Sequence, residues 1–120
     1  MIEPIPGLPD NVLGFTAKGT VTAADYQKVI IPAVEAKLSA HQKVRLLYHL
    51  GGEFSQFEAA AMWEDMKVGL QHLTAWEKIA VVTDIEWIRA AMKVFGFLLH
   101  GHIRLFQNSE LDRAREWVCH

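Results

Sequence analysis

The segment from Lys78 to Phe106 constrains the fold of this chain more than any other. It begins with the apolar, β-branched run Ile79–Val82, continues as a long amphipathic stretch from Ile85 to Leu99, and ends with the apolar run Ile103–Phe106. Short apolar runs on either side of a stretch with helical period predict a strand, a helix and a second strand. Because strands joined through a helix run parallel, the segment predicts a βαβ crossover.

Similar units occur along the rest of the chain, each with a potential helix cap after an apolar stretch. In the sequence Ser/Thr-x-x-Asp/Glu, two side chains can cap the first turn of a helix reciprocally. The pairs are Thr22 with Asp25, Ser55 with Glu58, Thr83 with Glu86, and Ser109 with Asp112. They predict helices over residues 23–38, 58–73 and 85–99 and after 109, alternating with strands over 12–18, 43–50, 79–82 and 103–106.

The N-terminal residues add one more strand to this pattern. Residues 2–5 predict a short edge strand before a turn rich in proline and glycine, and its pairing with the next strand makes an antiparallel hairpin. Gly51 and Gly52 predict the end of the central strand. Pro32 predicts a kink in the first helix, because a proline ring removes a backbone hydrogen bond. The chain therefore reads as a single α/β domain over residues 1–120, with a four- to five-stranded, mainly parallel sheet.

Composition and charge limit the classes of function. Of the 120 residues, 51% are hydrophobic and 22% charged, which is typical of a globular domain. A net charge of −2 and the lack of a basic run argue against nucleic-acid binding. Cys119 is the single cysteine, and His100 and His102 lack the spacing of a metal pair on a helix, so neither a metal nor another cofactor is expected. Neither a signal peptide nor a long apolar run is evident, which predicts a cytoplasmic protein.

The helix predicted to begin at Ile85 has more apolar surface than packing on one face of a sheet requires. At 3.6 residues per turn, one apolar stripe consists of Ile85, Ile88, Met92, Phe95 and Leu99. A second, adjacent stripe consists of Trp87, Ala91, Val94 and Leu98. Either neighbouring elements bury both stripes, or one packs on the sheet while the other lines a ligand groove or meets a membrane or a partner. Gly96 either lets the end of this helix move or permits close packing.

A ligand pocket is predicted where the strands end. Ligands of parallel sheets bind beyond the carboxyl ends of the strands, which here means the loop at 50–57 and the start of the helix at residue 85. The residues predicted to line this pocket are Phe54, Phe57, Trp63, Asp84, Trp87, Ala91, Phe97 and Leu98. No catalytic residue is assigned. The enzymatic alternative is a small hydrolase or isomerase that uses Asp84, His49 and Glu53.

The chain resembles the SpoIIAA-like family of small bacterial proteins, which have the STAS-type fold. The matching positions are Thr22, Asp25, Tyr26 and Pro32, the segments 44–50, 63–67, 78–84 and 103–106, and the C-terminal residues 114–117. The resemblance implies a βα superhelix that is similar in shape to the lipid-binding CRAL-TRIO domains. Anti-sigma-factor antagonists of this fold carry a phosphorylated serine in the motif Asp-Ser-Ser/Ala-Gly. The loop Gly51–Phe57 has no paired serine, so Ser55 is interpreted as a helix cap.

These features lead to the hypothesis of a non-enzymatic module that binds a small hydrophobic or amphipathic, lipid-like ligand. Residues 97–99 would bring it into contact with a membrane surface, as in a peripheral membrane protein. The alternative is a regulatory protein–protein interaction module of the anti-sigma-factor-antagonist type without the usual phosphoserine motif. In that case the same apolar stripe would meet a partner protein or a second copy of the chain in a homodimer.

Overall fold

Five strands form one mixed sheet in which the spatial order of the strands is their order in the sequence. The computed structural model describes residues 1–61, 75–98 and 103–120, with the backbone alone for 95–98. The strands are β1 (Ile2–Pro4), β2 (Val12–Val21), β3 (Val44–Phe57), β4 (Trp76–Thr83) and β5 (Ile103–Phe106). β1 is antiparallel to β2, and every other neighbouring pair is parallel. The predicted α/β architecture with an antiparallel N-terminal strand is therefore confirmed.

The described helices follow the strands in the predicted order. They are α1 (Ala23–Asp25), a π-helical segment (Tyr26–Ile30), α2 (Ile31–Ala40), α3 (Glu86–Leu98) and α4 (Leu111–Cys119), which follows a 3₁₀ turn (Asn108–Glu110). Residues 59–61 are helical, and the rest of the helix predicted over 58–73 lies outside the described residues. Within the described ranges, no helix combines the length and apolar character needed to cross a bilayer.

The disruption predicted at Pro32 takes the form of a π-helical turn just before it. The amide of Ile31 donates to the carbonyl of Tyr26, a hydrogen bond that spans five residues instead of four. Proline has no backbone N–H, so Pro32 cannot donate the next α-helical hydrogen bond. The helix is therefore wider for one turn before Pro32 and continues as the α-helix α2. The first crossover is thus a continuous but irregular helix.

The main correction to the predicted fold concerns the length of β3. The glycine pair at 51–52 does not end this strand, which continues to Phe57 and pairs there with Gly19–Val21 of β2. The register shifts after the pair Ala17–Leu50, because β3 has more residues than β2 over this stretch and forms a bulge. Gly19 has a φ of +58°, a conformation that glycine adopts without strain. The glycine pair therefore marks a bulge, and the predicted loop over 53–57 is a strand.

The capping prediction is confirmed at the first helix. The Asp25 amide donates to Thr22 Oγ1 at 3.2 Å, and the Thr22 amide donates to Asp25 Oδ2 at 2.8 Å. The box predicted for Ser55 and Glu58 is wrong, because Ser55 lies within β3. The N-cap residue immediately precedes a helix, and the next helical residues begin at 59, so Ser55 is too early in the chain to cap them.

The two remaining predicted capping boxes are also wrong, because the ends of the preceding strands determine where each helix begins. Thr83 is the last residue of β4, and its hydroxyl accepts from the Ile85 amide at 3.2 Å instead of forming the predicted box with Glu86. Before α4, the reciprocal pair is Gln107 with Glu110, in place of the predicted Ser109 with Asp112. β5 ends at Phe106, so Gln107 is the first residue available to cap.

The sheet separates two hydrophobic layers. On one face, Tyr26, Ile30 and Val34 from the first crossover and Ile88 from α3 pack against alternate strand residues; we name this layer the main core. On the other face, Ala114 and Val118 of α4 cover Leu47, Ala80 and Val82, together with Phe106, in a smaller second core. The described crossover helices therefore lie on one face of the sheet, and α4 lies on the other.

Candidate functional site

The carboxyl edge of the sheet has a step, because β3 extends beyond β4. The last pair between these strands joins Leu50 to Thr83, after which β3 continues along β2 as far as Phe57. α3 begins at Glu86, shortly after the end of β4. The contact between Phe57 and Trp87 brings the first turn of α3 to the extended end of β3. We name the step between these two elements the recess, and it lies at the edge where ligands of parallel sheets bind.

Three of the predicted pocket residues form an aromatic cluster in this recess. The ring centroids of Phe54 and Phe57 are 4.9 Å apart at an interplanar angle of 55°, and those of Phe57 and Trp87 are 6.3 Å apart at 81°. The second geometry is the edge-to-face arrangement that aromatic pairs favour. Phe54 is buried, Phe57 half-buried and Trp87 50% exposed. The aromatic cluster thus extends from the main core to the surface.

The two apolar stripes predicted on α3 have different environments. Ile88 is 3% exposed, and Ile85 and Met92 pack partly buried against the main core. In contrast, Trp87 is 50% and Val94 70% exposed, and Ala91 between them is exposed as well. We name these three residues the outer stripe. The first stripe attaches α3 to the sheet, whereas the outer stripe leaves apolar surface in contact with solvent.

The remaining predicted site residues lie apart from the aromatic cluster or outside the described part of the chain. Asp84 is exposed, and its Oδ1 accepts a hydrogen bond from the backbone N–H of Asn108 at 2.9 Å. It therefore joins the residues that follow β4 and β5. Trp63 lies outside the described residues, as do the side chains of Phe97 and Leu98.

Arg89 is a structural residue of this edge that the sequence pattern did not single out. Its Nη1 donates to the carbonyl of Thr83 at 2.9 Å and to the carbonyl of Phe106 at 3.0 Å. The side chain thereby ties α3 to the carboxyl ends of β4 and β5. Arg89 is four residues after Ile85 and three before Met92, which places it at the border of the buried stripe. That spacing is the signal in the sequence that points to this role.

The three residues of the enzymatic alternative have separate environments. His49 pairs in the sheet with Val82, a residue of the second core, and so lies on the face opposite the main core. Burial lowers the pKa of His49. Glu53 forms an ion pair with Lys18 at 3.3 Å, and Asp84 accepts from the Asn108 amide. These contacts give no shared acid–base arrangement for the three side chains.

Metal binding has no candidate ligand set in the described ranges. Among residues 1–61, 75–98 and 103–120, no group of three or more histidine, cysteine, aspartate or glutamate side chains is placed to hold a metal ion. The chemistry of the recess is instead that of an apolar surface with ionised residues at its border. Glu86 and Lys93 are both exposed on α3 beside the outer stripe.

Comparisons with known proteins agree with this architecture. A family model described as SpoIIAA-like matches residues 12–119. Among solved structures, the chain is similar to the crystal structure of an uncharacterized protein of the DUF3478 family with a SpoIIAA-like fold from Shewanella loihica PV-4. The two share 25% sequence identity and a TM-score of 0.74 over 99% of this chain and 93% of the other. No curated protein sequence matches the chain significantly.

Proposed function

The chain belongs to the SpoIIAA-like family, and from this premise we propose that it is a non-enzymatic module that binds an amphipathic, lipid-like ligand. The observation that carries the proposal is the outer stripe of α3, which continues the aromatic cluster onto the surface. The apolar part of the ligand would lie along Trp87, Ala91 and Val94. Its polar part would remain in solvent beside the exposed ammonium group of Lys93.

Energetics support an apolar occupant for this surface. Covering a valine side chain fully contributes roughly 1.5–3 kcal/mol, and Val94 is 70% exposed. Tryptophan favours the boundary between apolar and aqueous phases, because its ring is apolar and its indole N–H is polar. A helix with one apolar face and charged residues beside it is typical of segments that lie in a lipid interface. The outer stripe with Glu86 and Lys93 has this composition.

The proposal covers a single amphiphile bound in the recess and a bilayer surface, because both present acyl chains below a polar group. Two measurements separate them. Intrinsic tryptophan fluorescence is recorded during titration with lysophosphatidylcholine below its micelle concentration, and sedimentation is measured with vesicles of phosphatidylcholine and phosphatidylglycerol. A blue shift with the monomeric lipid indicates the recess, and co-sedimentation indicates the bilayer surface.

The test variant is Val94→Asp, which places a charge in the outer stripe at an exposed position. We expect it to weaken lipid binding roughly tenfold or more, because an ionised carboxylate cannot be transferred into acyl chains. Ala24→Asp is the matched control, since it introduces the same charge at an exposed position of α1. Equal binding by Val94→Asp and the parent chain, or no binding by the parent chain to either lipid form, contradicts the proposal.

A protein partner at the same surface is the alternative, and one feature of α3 favours a second copy. Glu86 and Lys93 are exposed, two turns apart, on the same side of the outer stripe. If two α3 helices packed antiparallel, each glutamate would face the lysine of the other copy. Light scattering with size-exclusion chromatography tests this arrangement. A dimer that Val94→Asp dissociates, in a chain that binds no lipid, supports the regulatory interaction module over the lipid-binding one.

A further inference from the structure

A second recess lies on the opposite face of the sheet, beside α4. It is an open cleft of about 510 Å³. The residues that line it are Lys78, Arg104, Phe106, Arg113, Glu116, Trp117 and His120. We name it the cationic cleft, because three of these side chains are lysine or arginine and one is acidic. The proposed lipid-binding function involves none of these residues.

Aromatic rings hold two of the cations in place. The guanidinium carbon of Arg104 is 5.0 Å from the ring centroid of Phe106 and 5.8 Å from that of Trp117. The ammonium nitrogen of Lys78 is 5.1 Å from the Trp117 centroid and donates to the Trp117 carbonyl at 3.1 Å. Contacts between cations and ring faces are attractive and limit the motion of both long side chains. The cleft therefore presents its positive charge in a defined position.

The charges of Lys78 and Arg104 are not neutralised by the described part of the chain. Within it, no carboxylate lies at ion-pair distance from either side chain, and Arg104 has no hydrogen-bond acceptor. Arg113 differs, because it forms an ion pair with Glu110 at 3.0 Å. Glu116 is the remaining acidic residue in the lining, and His120 adds a further titratable group. Arg104 and Lys78 thus keep donors that are available to an anion from outside the chain.

We infer that the cationic cleft binds a small molecule that carries a phosphate group, and that Arg104 and Lys78 bind the phosphate. The planar guanidinium of arginine donates two parallel hydrogen bonds to phosphate, and the lysine ammonium adds a compact charge. The half-buried indole of Trp117 supplies an apolar wall for the organic part of the ligand. Because the cleft lies across the sheet from the outer stripe, this binding is separate from the proposed lipid binding.

The test uses inorganic pyrophosphate as the probe and the whole chain at low ionic strength. Calorimetric titration measures the dissociation constant, and the NMR signal of the Trp117 indole N–H shows whether the probe enters this cleft. We expect saturable binding with a shift of that signal. Arg104→Gln should weaken binding roughly tenfold or more, because it removes a charge-assisted pair of hydrogen bonds. Arg104 is exposed on an edge strand, so its replacement leaves both cores intact.

Arg115→Gln is the matched control. Arg115 is an exposed arginine of α4 that donates to the Pro6 carbonyl at 3.1 Å, outside the cleft. Its replacement lowers the net charge by the same amount and should leave pyrophosphate affinity within about twofold of the parent. Absence of saturable binding overturns the inference. So does an equal loss of affinity in both variants, because it would indicate general surface attraction instead of a site.

Discussion

His49 is half-buried in β3, and its environment makes the stability of the fold depend on pH. Burial lowers its pKa below the ordinary value of 6.5, because removal from water disfavours the charged imidazolium. The unfolded chain therefore takes up a proton at a higher pH than the folded chain does. The contribution of His49 to stability is complete above about pH 6.5 and is lost as the pH falls through the folded pKa.

His49→Gln should remove this dependence. We expect the parent chain to lose more free energy of unfolding between about pH 7.5 and pH 5 than the variant does. Urea denaturation at several pH values measures the difference. His41→Gln serves as the control, because His41 contacts the exposed carboxylate of Asp10 at 3.2 Å and lies outside β3. If the free energy of unfolding of the parent and of His49→Gln had the same pH dependence, His49 would not be its source.

Gly51 shows what a single position can hide from sequence analysis. A Cβ atom at this glycine would lie 2.8 Å from Nε2 of His49, closer than non-bonded carbon and nitrogen atoms approach. The glycine therefore provides space for the imidazole two residues earlier. In the sequence, Gly51 and Gly52 resemble a turn. The sequence does not distinguish a glycine required by packing from one required by backbone conformation.

At the scale of elements, the crossover through α3 depends on Arg89 as well as on its buried stripe. Replacing this arginine by methionine keeps the length of the side chain but removes the hydrogen bonds to the Thr83 and Phe106 carbonyls. Arg89→Met should lower the free energy of unfolding by about 2 kcal/mol, since hydrogen bonds from charged donors are stronger than neutral ones. Lys93→Met is the control, because Lys93 is exposed on the same helix and its loss should change stability by less than ~0.5 kcal/mol.

Chemical denaturation monitored by circular dichroism compares the two variants. An equal effect of Arg89→Met and Lys93→Met would show that the two carbonyl contacts contribute nothing beyond helix propensity. A larger effect of Arg89→Met would establish that the carboxyl ends of β4 and β5 are held together by a side chain from the helix between them. The position of Asp84 and Asn108, which also link these ends, would then depend on the same arginine.

The sequence predicted the type and order of the elements better than their ends. The box at Thr22 is correct because β2 ends at Val21, immediately before the threonine. The box at Ser55 failed because β2 continues far enough to pair with a longer β3. Where a strand ends depends on the length of its neighbour, and that information is distant in sequence. Periodicity is local, which is why both stripes of α3 were assigned correctly as far as Val94.

At the scale of the whole molecule, topology explains which groups of residues the sequence could and could not bring together. The rule that ligands bind at the carboxyl edge of parallel strands placed Phe54, Phe57 and Trp87 in one predicted pocket. Their rings form the aromatic cluster, whereas ligand binding there stays a prediction. The cationic cleft had no such signal. Its cations come from β4, β5 and α4 and lie far apart in the sequence, so the chain contains no basic run.

The division of the interior by the sheet leads to a prediction about coupling between the two cores. Val34, 2% exposed, belongs to the main core, and Val118, fully buried, belongs to the second core. Replacement of each by alanine should lower the free energy of unfolding by roughly 1–3 kcal/mol, through lost burial and the cavity left behind. Because the sheet separates the two valines, the double variant should lose the sum of the single losses within about 0.5 kcal/mol.

The hydroxyl groups of Tyr26 and Tyr48 provide a pair for which additivity should fail, since they lie 2.9 Å apart and share a hydrogen bond within the main core. Phenylalanine at both positions should give an interaction energy of at least about 0.5 kcal/mol. Urea unfolding of the four single variants and the two double variants, each with a single transition, gives the interaction energy of the valine pair and of the tyrosine pair. If the valine pair coupled as strongly as the tyrosine pair, the sheet would transmit packing changes from one face to the other. The outer stripe and the cationic cleft could then not be altered independently, whereas additive valines would make each surface a separate target for mutation.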